Sequence, residues 1–142
     1  MNQLQVIESK IYEIRGQRVM LDFDLAQLYG TETRVLKQAV KRNIQRFEGD
    51  DFMFQLSKEE VSLFSRSQFV TLNKGRGHNF KYMPFAFTEL GVAMLSSILK
   101  SETAIDINRG IMRAFVTVRQ YLTSTNNPIK EIEELKQRMK AL

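Results

Sequence analysis

Residues 22–47 show the pattern of two short amphipathic helices joined by a glycine. Apolar side chains recur on one face of the first helix, which is predicted to begin at an Asp22 N-cap and to end at Tyr29. Gly30 then fits the position after a helix end, where the backbone turns left-handed. A second helix is predicted over 31–47. This arrangement is typical of a helix-turn-helix, whose second helix can lie in the major groove of DNA.

The second helix divides into an apolar half and a polar half when its residues are placed about 100° apart on a helical wheel. The apolar half holds Val35, Leu36, Ala39, Val40, Ile44 and Phe47. The polar half holds Arg34, Lys37, Gln38, Lys41, Arg42 and Gln45. Five cations of this helix, Arg46 included, accompany the single acid Glu32. The N-cap is expected at Thr31 or Thr33.

The charge of the polar half separates two interpretations. An ordinary solvated face usually mixes acids and bases, because pairs one turn apart stabilise the helix. This face has an excess of cations, with Gln38 and Gln45 among them. Lys and Arg side chains bind phosphates or guanine, and Gln can hydrogen-bond the edge of adenine. The face is therefore predicted to contact DNA, and an ordinary amphipathic helix is the alternative.

Short strands are predicted on both sides of this helical unit. Residues 11–21 have the alternation of a β-hairpin with its turn at Gly16 and Gln17. The run DFMFQLS, residues 51–57, also alternates between apolar and polar positions and indicates a strand. The helical unit is therefore expected to be embedded in an α+β domain.

Hydroxyl side chains mark the starts of three further helices. Ser57 and Glu60 have the S-x-x-E spacing of a capping box, which predicts a short helix over 58–64. Thr88 and Ser101 are expected to cap two more helices that pack as scaffold. The broad apolar face of the last helix, residues 102–122, suits either a core or a subunit interface.

A second hairpin is predicted between residues 65 and 83, with a tip that contains two glycines. Strand composition occurs at 68–72 and 79–83, and no acid occurs from 61 to 88. The cations of this segment that are predicted to contact DNA are Lys74, Arg76 and Lys81. Such a basic tip has the character of a wing that holds DNA through phosphates or the minor groove. A mobile, solvated loop fits this segment equally well.

Residues 129–142 form a second amphipathic unit after a polar linker over 123–128. Its apolar residues at heptad positions are Ile132, Leu135, Met139 and Leu142. Isolated helices shorter than about 12–15 residues are marginal in water, so this tail needs support. It can dimerise, dock on the domain, or begin a longer coiled coil.

Composition limits the classes of protein and site. The chain has 142 residues, which suggests one domain, placed at 6–122. It has no cysteine and a single histidine, His78, so neither a metal site nor a cofactor is expected. Its formal charge of +5 favours an anionic partner such as nucleic acid. No apolar run approaches the roughly 20 residues of a membrane span, so a cytoplasmic protein without a membrane partner is expected.

Three runs of residues carry a resemblance to a known family. They are LAQLYG, VKRNIQRFEGDDFMFQL and AFTELGVAMLSSIL, and the wider similarity covers residues 6–122. The chain resembles the KilA-N-like DNA-binding domain of phages and prophages, in the branch called "ORF six N", a relative of phage antirepressor N-terminal domains. The resemblance implies a winged-helix-like α+β domain that acts in a bacterial host, at the nucleoid, as a regulator without catalytic residues. It also implies that the second helix, with Lys37, Lys41, Arg42 and Arg46, reads the DNA.

The leading functional hypothesis is a regulator of transcription that binds double-stranded DNA with helix 31–47 in the major groove. Phosphate contacts are assigned to Lys37, Arg42 and Arg46. Contacts to base edges are assigned to Arg34, Gln38, Lys41 and Gln45. The alternative is an antirepressor-like module that binds a phage repressor, or a second copy of itself, through helix 102–122 and the tail. An enzyme is not expected, because no nucleophile and base occur in a recognisable site motif.

Overall fold

The described residues form a four-stranded antiparallel sheet with helices packed on both faces. The computed structural model describes residues 2–64 and 83–125. These contain, in chain order, α1 Gln3–Glu8, β1 Tyr12–Ile14, β2 Gln17–Leu21, α2 Asp22–Tyr29, α3 Thr33–Arg42, a 3₁₀ turn Ile44–Phe47, β3 Met53–Gln55, α4 Lys58–Phe64, β4 Phe85–Thr88, α5 Glu89–Leu95 and α6 Glu102–Thr125. The predicted α+β class is confirmed. None of the helices in these two ranges is long and apolar enough to cross a membrane.

The strands lie in the order β1-β2-β4-β3, so β4, the last strand of the described residues, occupies the interior of the sheet. β4 pairs with β2, where Val19 lies opposite Thr88, and with β3, where Phe54 lies opposite Ala86. The sequence pattern predicts no strand at this place, because a run of four residues is too short to show a period. Its position depends on pairing between distant segments.

The predicted first hairpin is confirmed, with its turn one residue earlier than expected, at Arg15 and Gly16. Their φ angles are 55° and 73°, the left-handed values that a tight type I′ hairpin turn requires. Gln17 therefore begins β2 instead of lying in the turn. Arg15 adopts this conformation although it is not glycine, and its guanidinium donates to the Glu60 carboxylate at 2.8 Å and lies 4.4 Å from the centre of the Phe54 ring.

Residues of the sheet alternate between two cores, one on each face. Met20 and Phe87 face the larger core, which α1, α2, α3, α5 and α6 complete. Val19 and Leu21 face the opposite way, toward Val61 of α4. The helices α2 and α3 therefore share one face of the sheet, and α4 lies on the other face.

The patterns above predict no helix at the N-terminus, yet α1 forms there and packs along α6. A local signal was present, since Asn2 and Gln5 make a capping box. The Asn2 side chain accepts the Gln5 backbone N–H at 2.8 Å, and the Gln5 side chain accepts the Asn2 backbone N–H at 3.2 Å. Ile7 is fully buried, and a Cβ placed on Gly110 of α6 would lie 3.3 Å from Ile7 Cδ1.

Three predicted helix caps are confirmed. Ser57 and Glu60 exchange hydrogen bonds of 2.8 and 3.2 Å at the start of α4. The Thr88 hydroxyl accepts the N–H of residue 91 at 3.2 Å, and the Ser101 hydroxyl accepts the N–H of residue 104 at 3.1 Å. α5 and α6 begin at the following residues, as expected.

Two other predicted caps are wrong. The N-cap of α2 is Leu21, and that of α3 is Glu32; neither makes a side-chain capping bond. Asp22 is already the first residue of α2, and its carboxylate accepts a hydrogen bond from β4 instead. Thr33 is likewise the first residue of α3 and does not cap it.

The predicted second hairpin and the tail lie outside the described residues. Lys74, Arg76 and Lys81 belong to this group, as do residues 129–142. The proposed limits of the domain, 6–122, stay a prediction.

Candidate nucleic-acid interface

The α2–α3 unit turns at Gly30, whose φ of 74° is left-handed as predicted. The N–H of Gly30 donates to the Gln27 carbonyl at 3.1 Å, and the N–H of Thr31 donates to the Ala26 carbonyl at 2.9 Å. These bonds satisfy the last carbonyls of α2 and let α3 begin three residues later. Leu36 of α3 is buried in the larger core, and this contact anchors the helix on the sheet.

α3 ends at Arg42, so the prediction of a continuous helix over 31–47 is wrong. Asn43 leaves helical geometry, and its side-chain amide donates to the Ala39 carbonyl at 2.9 Å. The following 3₁₀ turn carries Phe47 into the core, where its ring meets Phe87 edge-on at 5.9 Å. The tight turn also rotates Ile44 outward, and this side chain is 47% exposed.

The outer surface of α3 and the 3₁₀ turn carries polar and cationic side chains. Gln38, Lys41, Arg42 and Gln45 are all exposed. None of these four side chains makes a hydrogen bond or an ion pair with another residue in the described part of the chain. Their polar atoms therefore face solvent and are free to meet an external partner.

The other three predicted contact residues of this surface already have partners within the fold. Lys37 Nζ lies 3.7 Å from Asp22 Oδ2 and 5.2 Å from the centre of the Phe85 ring. Arg34 pairs with the exposed Glu32 at 3.0 Å. Arg46 donates a hydrogen bond of 2.9 Å to the hydroxyl oxygen of Ser97, a residue of the connection between α5 and α6. Lys37 and Arg46 are thus tied to residues of other elements, whereas Arg34 is tied only to its exposed neighbour Glu32.

Asp22 supports this surface structurally, although the sequence pattern assigns it only to a cap. Its buried carboxylate accepts the backbone N–H of Phe85 at 3.0 Å and faces Lys37. Burial raises the pKa of Asp22, and the Phe85 bond and the Lys37 charge partly oppose that rise. Through this one carboxylate, α2, α3 and β4 are tied together, so Asp22 helps to fix the direction of α3.

Val35 and Ile44 do not lie in the core, although the wheel places both in the apolar half. Leu36 and Val40 take the buried positions of α3, with at most 5% exposed surface. Val35 lies about 100° from Leu36 around the helix. Its side chain is consequently 42% exposed, beside the polar residues of the outer surface.

An apolar groove of about 190 Å³ runs beside the outer surface, between α3, the 3₁₀ turn and the sheet. Its lining is formed by Lys37, Val40, Lys41, Ile44, Met53, Phe85 and Phe87. Two lysines border this groove, so the cationic surface includes an apolar recess. Among residues 2–64 and 83–125, no group of three or more His, Asp or Glu side chains is close enough to hold a metal ion.

Comparison with known proteins identifies the chain at the level of its family. The family model of the ORF6N domain matches residues 9–98, which is more than half of the chain. This segment includes α2, α3 and the whole sheet. No curated protein and no solved structure gives a significant match. The chain therefore belongs to the ORF6N domain family, a phage-associated family related to antirepressor N-terminal regions.

Proposed function

We propose that this protein binds double-stranded DNA and regulates phage or prophage transcription, with the outer surface of α3 in the major groove. The single observation that supports this most strongly is the set of exposed, unpaired polar groups on α3 and the 3₁₀ turn. Polar side chains left without partners among the described residues, with an excess of cations, match the donors and charges that DNA accepts. The role involves binding alone and no catalytic step.

The contacts divide by their position on this surface. Arg34, Gln38, Lys41 and Gln45 are proposed to meet base edges in the groove. Phosphates are proposed to meet the flanking cations Lys37, Arg42 and Arg46. Among them, Lys37 and Arg46 keep their positions through Asp22 and Ser97, which lowers the entropy lost on binding. The contacts of Lys74, Arg76 and Lys81 with the flanking backbone belong to the same proposal.

Selection from a random DNA pool, followed by titration of the enriched duplex, tests the proposal. If about four to six cations neutralise phosphates, the logarithm of the binding constant falls with the logarithm of salt at about −0.9 per contact. The double variant Gln38→Ala, Lys41→Ala should lose about 10-fold or more in specific affinity and accept more sequences.

A matched control lies on the opposite face of the sheet. Lys58→Ala removes an exposed cation from α4 and should leave DNA affinity nearly unchanged. All these side chains are exposed, so the variants should unfold at the same urea concentration as the wild type. No enrichment in the pool and no salt dependence would refute the proposal. Equal losses for the α3 and α4 variants would show that another surface binds the DNA.

A second candidate function is an antirepressor-like interaction through α6. Ile105 and Val116 of α6 are 47% and 37% exposed, respectively, and Arg109 and Arg113 lie exposed beside them. Interfaces are enriched in arginine and large apolar residues, so this helix suits a protein partner, either a phage repressor or a second copy of the chain.

Light scattering tests the self-association form of this second function. The double variant Ile105→Ser, Val116→Ser and a chain ending at residue 128 should each shift a dimer toward monomer. A wild-type chain that is monomeric at all concentrations would leave a repressor as the partner. Retention of the purified repressor of a related phage on immobilised wild type, and its loss with the double variant, would then support the function.

A further inference from the structure

Val35 is an exposed apolar side chain in the middle of polar neighbours. It is 42% exposed, whereas the core positions of α3 are held by Leu36 and Val40. Valine loses side-chain freedom in a helix and forms helices less readily than alanine, so helix formation does not favour it here. Valine at this position is therefore not one of the buried core residues of α3, and helix propensity favours alanine over it.

The position of Val35 in α3 is the one from which base edges are reached. Val35 lies in the first turn, because α3 begins at Thr33. In helices that enter the major groove, the N-terminal residues contact the bases. Gln38 and Arg42 follow Val35 by three and seven residues, and residues at this spacing share one face of a helix. Val35 and Gln38 are consequently neighbours on the exposed surface.

The chemistry of this pair matches an A·T base pair. In the major groove, thymine presents its C5-methyl group, and adenine presents one acceptor and one donor. An apolar side chain contacts the thymine methyl, and a Gln amide bonds both polar atoms of adenine. Their Cβ atoms lie about 5–6 Å apart at this helical spacing, which is enough to span neighbouring base pairs about 3.4 Å apart.

We propose that Val35 reads the methyl group of a thymine, with Gln38 bonding an adenine in the same or the adjacent base pair. The preferred DNA site then contains an A·T pair at this place, and Val35 is a specificity-determining residue. This inference rests on the proposed DNA binding, and it adds the base chemistry that α3 recognises.

Replacing thymine by uracil in the selected duplex tests the inference directly. Uracil keeps the base pair and the O4 acceptor, and it lacks only the methyl group. Wild-type protein should bind the duplex about fourfold more weakly when the contacted thymine is replaced, the value of one buried methyl group. Val35→Ala should show a smaller difference between the thymine and uracil duplexes than the wild type, because it lacks the two γ-methyl groups that contact the thymine methyl.

Controls separate this contact from a general effect of uracil. Ile44→Ala removes another exposed apolar side chain of the same surface and should retain the fourfold difference. Replacing thymines outside the DNA segment that the protein contacts should not change the affinity.

Two results would overturn the inference while leaving DNA binding intact. The first is that the wild type binds the thymine and uracil duplexes with equal affinity. The second is that Val35→Ala loses as much affinity as the wild type when the thymine is replaced by uracil. Absence of binding to any duplex would instead refute the proposed function.

Discussion

Folding buries the Asp24 carboxylate without providing it with a hydrogen-bond partner among the described residues. It lies buried in the first turn of α2, and neither oxygen has a hydrogen-bond partner within the described residues. Burial raises the pKa of Asp24 to about 6; the Lys10 ammonium, 3.8 Å away, opposes this rise, and the charge of Asp22 adds to it. The folded chain therefore holds this proton more tightly than the unfolded chain does.

Asp24 should consequently make the free energy of unfolding depend on pH. In the unfolded chain an aspartate titrates near a pKa of about 3.9, so stability falls as pH rises from about 4 to about 6. Asp24→Asn removes this titration. Relative to the wild type, its free energy of unfolding should increase by about 2 kcal/mol between pH 4 and pH 7, measured by urea denaturation.

A suitable control for this pH experiment is Asp106→Asn, an exposed change on α6. It should leave the fall in stability between pH 4 and pH 7 in place, because Asp24 is unchanged. If the Asp24→Asn variant showed the same fall as the wild type, Asp24 would not titrate in this range.

At the scale of elements, two helical glycines differ in what they pack against. Gly91 lies against backbone atoms, and Gly110 lies against a side chain. A Cβ on Gly91 of α5 would lie 2.1 Å from the carbonyl oxygen of Phe52, which is too close for two non-bonded heavy atoms. A Cβ on Gly110 of α6 would lie 3.3 Å from Cδ1, the far end of the Ile7 side chain. α5 thus packs directly on the backbone that leads into β3.

Gly91→Ala should lower the free energy of unfolding by about 3 kcal/mol or more, because a backbone carbonyl cannot move without disturbing the sheet. The matched variant Gly110→Ala should change it by less than about 1 kcal/mol, since Ile7 can shift and alanine favours a helix by about 1 kcal/mol. Urea denaturation of the two variants measures both values. Equal effects would mean that α5 can move away from the sheet.

At the scale of the whole molecule, the core continues beyond the segment that the family model matches. Ile7 lies before residues 9–98, and Ile111 and Phe115 lie after them. All three are fully buried and pack in one cluster with Met20 and Phe87 of the sheet. α1 and α6 are therefore part of the structural unit that supports α2 and α3.

A fragment of residues 9–98 should not unfold cooperatively, because it exposes the face of the core that α1 and α6 cover. A chain of residues 1–125 retains both helices and should unfold in one transition. Calorimetry of the two fragments distinguishes them. A single cooperative transition in the 9–98 fragment would show that α1 and α6 are dispensable.

Interactions between residues three or four apart were evident in the sequence. Such local patterns predict the caps at Ser57, Thr88 and Ser101 and the turn at Gly30. The exposure of the polar residues of α3 also follows from its own periodicity. The capping box of α1 is equally local, but the helix that follows it has only six residues, which is too short to show a helical period.

The amino-acid sequence by itself thus determined the α+β class, the α2–α3 unit and the cationic face of α3. Only the tertiary structure decided that β4 is central, that Lys37 pairs with Asp22, and that α3 stops so that Phe47 can reach the core. It also decided that Val35 stays exposed. The physical reason is that each of these outcomes depends on which distant segments meet in the folded core, and a local pattern carries no information about distance in space.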